Sequence, residues 1–356
     1  MIYIHVPFCH RKCTYCAFYS VRSSELGVRS YLDALLDEMK RRRGEQSHPI
    51  KTVYLGGGTP SILPLQQLER IAAGLHRWFD LSRLEECTIE CNPEDLTTDY
   101  LKGLKSLGLF NRLSIGIQSF DDEVLRRLNR RHTARQALDA VENAHAAGFR
   151  NISVDFIYGI HDNYQPPTAH YQLISHISAY SLTIEPHTAL AAQVEQGRVV
   201  LPDEDEVARQ YHLLHDALQC NGFEQYEVSN YARPGFESKH NSRYWDRTPY
   251  LGLGPGAHSL VVADGVERRC WNNPDGTVGQ ETLTADDAFN ELLMTALRTT
   301  RGLPMSAVPD GYKKRLHIAM QPYIDCGWIT LKDNNYIPTT DGLLHADGMA
   351  AALFVA

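Results

Sequence analysis

Between Ile2 and Ile184, strand-sized apolar runs alternate with stretches of helical spacing, and no other feature of the 356-residue chain narrows its fold as much. Ile2 to Val6, Thr52 to Leu55, Thr88 to Glu90, Arg112 to Ile117, Ile152 to Ile157 and Ile177 to Ile184 read as strands. Tyr31 to Arg43, Leu65 to Phe79, Thr98 to Leu107, Asp122 to Leu128 and Ala134 to Ala147 read as helices, two of them closed by Gly108 and Gly148. A further helix is expected ahead of the sixth strand. Such alternation builds a parallel sheet with crossover helices, as a full or partial barrel or as an open doubly wound sheet. In either case ligands gather at the C-terminal ends of the strands. The polar and glycine-rich residues fall there: Cys9 to Cys16, Gly56 to Thr59, Glu90 and Asn92, Gln118 and Ser119, Asp155, and Glu185. One shared site is the expectation.

After about Pro186 the pattern changes. Asp203 to Cys220 reads as a long amphipathic helix, and Glu227 to Ser259 as a loop-rich stretch dense in Tyr, Asn, His and Gly. From Ala285 the order is helix (Phe289 to Leu297), basic helix (Tyr312 to Ile324), strand pair (Trp328 to Ile337) and a last helix from Asp341. That order suggests a small winged-helix-like cap, a shape that assigns no function by itself. The expected division is 1–186 for the βα core, 187–284 for an α/β extension and 285–356 for the cap.

Lys and Arg total 35 against 43 Asp and Glu, a net charge of −8, which argues against a dedicated nucleic-acid binder. Lys313, Lys314 and Arg315 read as a solvated helix face. No apolar run reaches the ~18 residues of a membrane span. The opening Met1-Ile2-Tyr3-Ile4-His5-Val6-Pro7 has neither a basic segment nor a small-residue cleavage site, so a cytoplasmic protein is expected.

Cys9-His10-Arg11-Lys12-Cys13-Thr14-Tyr15-Cys16 puts three thiols on one short loop. Three thiolates can hold three irons of a [4Fe–4S] cubane and leave the fourth iron open to an outside ligand. Arg11 and Lys12 add positive charge that favours thiolates and an anionic cluster. The competing reading is a structural zinc ion with His5 or His10 as fourth ligand. Zinc usually draws paired half-sites from two parts of a chain, and no second half-site follows here. Cys87, Cys91, Cys220, Cys270 and Cys326 read as packing thiols.

The Cys-x₃-Cys-x₂-Cys spacing after a first strand, with Tyr15 just before the last Cys, resembles the signature of the radical S-adenosylmethionine (SAM) superfamily. That resemblance implies a partial (β/α)₆ TIM-type barrel, a [4Fe–4S] cluster on Cys9, Cys13 and Cys16, and SAM chelating the open iron. Gly56-Gly57-Gly58-Thr59-Pro60 matches the glycine-rich turn of the family, where small residues let the backbone approach a ligand. A narrower resemblance joins oxygen-independent coproporphyrinogen III oxidases and their relatives, the HemW haem chaperones. It runs through Tyr3-Ile4-His5-Val6-Pro7-Phe8-Cys9, Glu90-Cys91-Asn92-Pro93, Ser114-Ile115-Gly116-Ile117-Gln118-Ser119-Phe120, Asn129-Arg130 and Asp155-Phe156-Ile157-Tyr158-Gly159, and on to Leu297-Arg298-Thr299. By that resemblance Tyr3, Gly57 and Glu90 would contact cluster-bound SAM. Tyr15, Gly58, Thr59, Gln118, Arg130 and Asp155 match positions lining SAM or a second SAM-like site. The plainer alternatives are helix caps for Glu90 and Asp155 and a solvated charge for Arg130.

One departure separates the two branches. The oxidase pattern carries a fourth Cys two residues after the third, and here that position is Phe18, as in the HemW type. The oxidase pattern also extends ahead of the first strand, which begins here at Ile2. Both facts favour the HemW type, with an α+β extension and winged-helix-like cap after the barrel. His240-Asn241-Ser242-Arg243-Tyr244-Trp245 is the HemW-type haem-associated motif. His240 could ligate iron, Tyr244 and Trp245 could stack on a macrocycle, and Lys239 and Arg243 could pair with propionates. The same residues could instead form a buried hydrogen-bond hub. His258 is a second candidate. The resemblance implies a chaperone that binds haem and passes it to apo-haemoproteins, with peripheral membrane association and a homodimer left open and no nucleic acid. The alternatives are oxidative decarboxylation of coproporphyrinogen III propionates through a 5′-deoxyadenosyl radical, or radical-SAM chemistry on another substrate.

Overall fold

Alternating side chains along each strand decide how the core is built. In the computed structural model, which describes residues 1–46, 48–167 and 170–355, one sheet holds nine strands. They are β1 (Ile2–Val6), β2 (Thr52–Gly57), β3 (Glu86–Cys91), β4 (Arg112–Gln118), β5 (Asn151–Tyr158), β6 (His176–Ser181), β7 (Glu224–Gln225), β8 (Asn230–Ala232) and β9 (Leu251–Leu253). The spatial order is β9-β1-β2-β3-β4-β5-β6-β8-β7. From β9 to β6 every pairing is parallel, and β8 and β7 add antiparallel. The order ends at β9 and β7, so the barrel is partial.

Val53 and Leu55, Ile89, Leu113 and Ile115, Ile152 and Val154, and Ile177 alternate onto the outer face and are fully buried under the helices. Each such side chain contributes about 1.5–3 kcal/mol by leaving water. Cys87 and Cys91 share that face, which suits packing thiols. The intervening residues point inward and are polar: Thr52 and Tyr54, Glu86 and Glu90, Arg112 and Ser114, Ser153 and Asp155, His176 and Ser178. The barrel interior is therefore a polar lumen.

The crossover helices are α1 (Glu25–Arg42), α2 (Leu65–Trp78), α3 (Thr98–Ser106), α4 (Asp122–Arg127) and α5 (Ala134–Ala146). Ser24, Thr97, Asp121 and Thr133 cap four of them with side-chain oxygens, Thr133 in a capping box with Gln136. The helix expected ahead of β6 does not form: the described residues between β5 and β6 hold only a 3₁₀ turn at Tyr171–Leu173. Pro166 and Pro167 remove two backbone donors from that stretch and disfavour a helix.

The chain after Pro186 adds α6 (Ala189–Glu195) and α7 (Glu204–Cys220), then strands at both edges of the barrel sheet. The stretch expected to be loop-rich holds β8, a helix α8 (Lys239–Trp245) and β9, whose short length hides them from periodicity. A three-stranded antiparallel sheet follows: β10 (His258–Ala263), β11 (Val266–Asn272) and β12 (Val278–Thr282). The C-terminal cap is α9 (Ala285–Ala296), β13 (Leu303–Pro304), α10 (Asp310–Asp325), β14 (Ile329–Lys332), β15 (Asn335–Pro338), α11 (Thr340–Leu344) and α12 (Ala346–Leu353). Its helices pack on a small antiparallel sheet around a core of its own that includes Leu293, Leu316, Met320 and Tyr336, a winged-helix-like arrangement. Among the described residues no helix is long and apolar enough to cross a membrane.

Candidate cofactor site

The C-terminal strand ends of the barrel open into a cavity of about 470 Å³. Its wall brings together Cys9, Cys13, Cys16, Tyr15, Gly57, Gly58, Thr59, Glu90, Gln118, Arg130 and Asp155, which are scattered over almost half the sequence. Of the residues expected at the cofactor, Tyr3 alone stands off the wall: its hydroxyl meets His5 Nδ1 at 3.2 Å and its ring stacks on Tyr54.

The cysteine loop is pinned from outside. Thr14 N donates to Leu128 O at 3.2 Å, Asn129 Nδ2 to Lys12 O at 2.9 Å, and Leu190 N to Thr14 O at 2.8 Å. Asn129 turns the chain with φ near +59°, a conformation Asn tolerates better than most residues. The glycine-rich turn has its own steric reasons. Gly57 adopts φ of +109°, and a Cβ on Gly58 would sit 2.6 Å from Phe8 O. The turn thus lies directly against the start of the cysteine loop, with Gly58 N donating to Val6 O at 2.8 Å.

The three thiols are free, half-buried, and each meets a donor. Thr59 Oγ1 lies 3.5 Å from Cys9 Sγ, and Arg130 Nη1 donates to Cys13 Sγ at 3.4 Å. The Tyr15 hydroxyl also bonds Cys13, and the Phe18 backbone N–H bonds Cys16. Donors aimed at sulfur stabilise thiolates, so the loop fits an anionic iron–sulfur cluster. Among the described residues, no three His, Cys, Asp or Glu side chains converge as they would on a single metal ion.

Three carboxylates line the cavity, the exposed Glu185 and the buried Glu90 and Asp155. Glu90 Oε1 accepts from Tyr54 OH at 2.8 Å, and Oε2 accepts from Gly57 N at 3.0 Å. Burial pushes its carboxyl up to about 7; Tyr54 and Gly57 oppose the shift and Asp155 adds to it. Burial likewise raises Asp155 to about 6, against hydrogen bonds from Ser178 and Ser114 and the charge of Arg112. A buried carboxylate is ready to receive a cation such as an ammonium, which would relieve this cost. Gln118 ends β4 with φ of +68°, after a register shift against β5 that turns it to the wall.

Arg130 is not a solvated charge. Its Nη2 donates to Asn92 Oδ1 and to Gly116 O, both at 2.6 Å, while Nη1 serves Cys13. Sequence reasoning missed Tyr54, which bonds Glu90, and Arg112, whose charge acts on Asp155. The inward positions of period-2 strands were the available signal, since Tyr54 and Arg112 alternate with apolar neighbours.

His240, Asn241, Tyr244 and Trp245 do not join this cavity. They lie on α8, which closes the opposite end of the barrel. Glu86, at the N-terminal end of β3, accepts from Lys239 N at 3.0 Å, His240 N at 2.9 Å and Ser238 Oγ at 3.4 Å. His240 is fully buried, with Nδ1 3.0 Å from Thr52 Oγ1 and Nε2 3.1 Å from Tyr244 OH. Burial, followed by the nearby N-terminus and Arg112, drives its imidazole down to about 3. In this conformation both ring nitrogens are hydrogen-bonded, and His240 is the hub of the barrel floor. Trp245 packs under Arg298, with the guanidinium 5.8 Å from the ring centre. His258 lies away from the cavity, stacked on Trp271.

A family model described as the radical SAM superfamily matches residues 3–174. A protein named heme chaperone HemW from Lactococcus lactis is 34% identical over 338 residues, covering 87% of this chain and 84% of that one. A Bacillus subtilis protein of the same name is 38% identical over 267 residues, covering 73% and 70%. Among solved structures, a coproporphyrinogen III oxidase from Escherichia coli superposes with a TM-score of 0.82 over 99% of this chain and 89% of that one, at 22% identity, a likeness of fold.

Proposed function

The chain belongs to the radical SAM superfamily and, within it, to the HemW family of haem chaperones, and from that premise we propose that it binds haem and delivers it to apo-haemoproteins. The observation that carries the reading is the match over 338 residues to a protein named heme chaperone HemW. Phe18, where the oxidase pattern has a fourth Cys, points the same way.

The superfamily implies a [4Fe–4S] cluster and SAM. Cys9, Cys13 and Cys16 would hold the cluster, and Glu90 with the Gly57-Gly58 backbone would receive the methionyl ammonium. Gln118 and Asp155 offer hydrogen bonds for ribose hydroxyls at the same wall. When bound, the two cofactors supply one-electron cleavage of SAM. The protein's own part is to aim hydrogen-bond donors at the cysteine sulfurs and to keep Glu90 and Asp155 out of water until a cation arrives.

Haem is cargo in this reading. For His240 to ligate iron, α8 must leave the barrel floor and give up the contacts to Thr52 and Glu86, or Nε2 must release Tyr244 within the helix. Two measurements test the proposal. Reconstituted protein is titrated with haem and then mixed with an apo-haemoprotein; stoichiometric binding followed by transfer is expected. The same protein is given SAM, a reductant and coproporphyrinogen III without oxygen. Sustained formation of protoporphyrinogen would make the chain an oxidase and overturn the chaperone reading.

A further inference from the structure

The three thiols of the cysteine loop are not equally supported. From Cys9 to Cys13 runs an unbroken arc of polar side chains. Cys9 Sγ lies 3.5 Å from Thr59 Oγ1, Asn92 Nδ2 donates to Thr59 Oγ1 at 3.3 Å, and Asn92 Oδ1 accepts from Arg130 Nη2 at 2.6 Å. Arg130 Nη1 then reaches Cys13 Sγ at 3.4 Å. Cys16 lies outside the arc and has a backbone N–H for its partner.

The direction of every bond in the arc is set by its chemistry. Guanidinium is donor-only, so Asn92 must turn its carbonyl oxygen to Arg130 and its amide nitrogen to Thr59. Thr59 Oγ1 already accepts from that nitrogen, which leaves its own proton for the Cys9 sulfur. Each end of the arc thereby offers a donor to a thiol. Asn92 is itself fixed where β3 ends, its backbone N–H donating to Ser61 Oγ at 3.1 Å. Ser61 in turn donates to Asp95 at 2.6 Å.

We propose that Asn92 and Arg130 are positioning residues for the cluster: together with Thr59 they aim donors at the Cys9 and Cys13 thiolates and thereby raise its reduction potential. Resting on the cluster reading above, this deepens it. Reduction adds one negative charge to an already anionic group. Hydrogen bonds and a fixed cation at the sulfurs stabilise the reduced form more than the oxidised one. The electron comes from an external one-electron reductant, which is oxidised as the cluster is reduced, and no bond is made or broken.

The test is a potentiometric titration followed by electron paramagnetic resonance, on full-length protein reconstituted without oxygen and without SAM. Iron and sulfide are measured on each sample. Asn92→Leu keeps the side-chain size and removes both amide contacts. At a fixed solution potential its ratio of reduced to oxidised cluster should fall about tenfold, a midpoint lower by ~59 mV. Thr59→Val, which deletes only the donor to Cys9, should shift the midpoint the same way by less. Arg130→Gln should shift it further than Asn92→Leu, and Arg130→Lys should recover part of that loss. Unchanged midpoints in Asn92→Leu and Thr59→Val at full iron content would overturn the proposal. If Asn92→Leu loses iron, Thr59→Val alone decides, and an unchanged midpoint there overturns it. Wild-type protein that takes up no cluster would defeat the cofactor reading instead, so the two failures are distinguishable.

Discussion

At the mouth of the barrel, polar groups stand ready for a ligand; at its floor, they are spent on one another. The same strands serve both ends. β2 gives Thr52 to the floor, Tyr54 to the middle of the lumen and Gly57 to the mouth, and β3 gives Glu86 to the floor and Glu90 to the mouth. Around the cavity, Glu90 and Asp155 are carboxylates held out of water with their pKa values pushed up. At the floor, His240 is an imidazole held neutral, with a hydroxyl at each nitrogen. The comparison teaches that a residue pattern able to bind a ligand is open for one only where the fold leaves its polar atoms underused.

The strongest way to break the comparison is to remove a thiol. Cys13→Ser should abolish the cluster, read as loss of iron and of visible absorption after reconstitution. His240→Ala should leave iron content at the wild-type level. A floor variant that also loses iron would erase the distinction between the two ends.

The next effect is on stability. His240→Ala leaves the Thr52 and Tyr244 hydroxyls without their partner and opens a cavity under Tyr54, at a cost of about 2–4 kcal/mol in denaturant unfolding. His240→Gln should cost less. A variant that loses haem binding with no loss of stability would show that His240 is a ligand after all.

The two ends should also respond to pH with opposite sign. For His240, ordinarily 6.5 and about 3 when folded, the unfolded chain takes up a proton that the folded chain refuses. Its contribution is therefore lost as pH falls from 6.5 toward 3. For Glu90, ordinarily 4.5 and about 7 when folded, the folded chain takes up the proton first, and stability is lost as pH rises through that window. In metal-free protein, His240→Gln should flatten the acid side of the stability profile and Glu90→Gln the side between 4.5 and 7. Profiles that both variants leave unchanged would refute the contrast.

The smallest effect is expected at Phe18, which lines the cavity yet is 70% exposed. Phe18→Ser should change stability by no more than about 0.5 kcal/mol. A larger loss would mean that this side chain is packed in solution.

Much of the mouth was legible in the residues themselves. Cys9, Cys13 and Cys16 share one short loop, so their proximity needs no tertiary information. The βα alternation placed Gly57, Glu90 and Gln118 at strand ends and Asp155 within the fifth strand, and all four meet at one wall. Asn92 was visible at the end of its strand, but nothing local says that its amide bridges Thr59 and Arg130. The strand Leu251–Leu253 escaped because three residues carry no period, and it is its parallel pairing with β1 that brings it into the barrel sheet. The division expected at residue 186 follows a change of pattern, whereas the sheet runs on through β8 and β9.

By itself the sequence determined the cysteine loop, the succession of strands and the alternation that puts apolar residues outside and polar ones within, because each depends on spacing along a few residues. Only the tertiary structure decided that the His240 motif lies at the end of the barrel opposite the cysteine loop. The cysteine loop reads as a ligand site, and the His240 motif as either a haem site or a buried hydrogen-bond hub. What separates them is that Thr52 and Glu86, more than 150 residues earlier in the chain, come to rest against α8 and satisfy it. Hydrogen-bond satisfaction is a property of the folded neighbourhood, and a motif does not carry its neighbours with it.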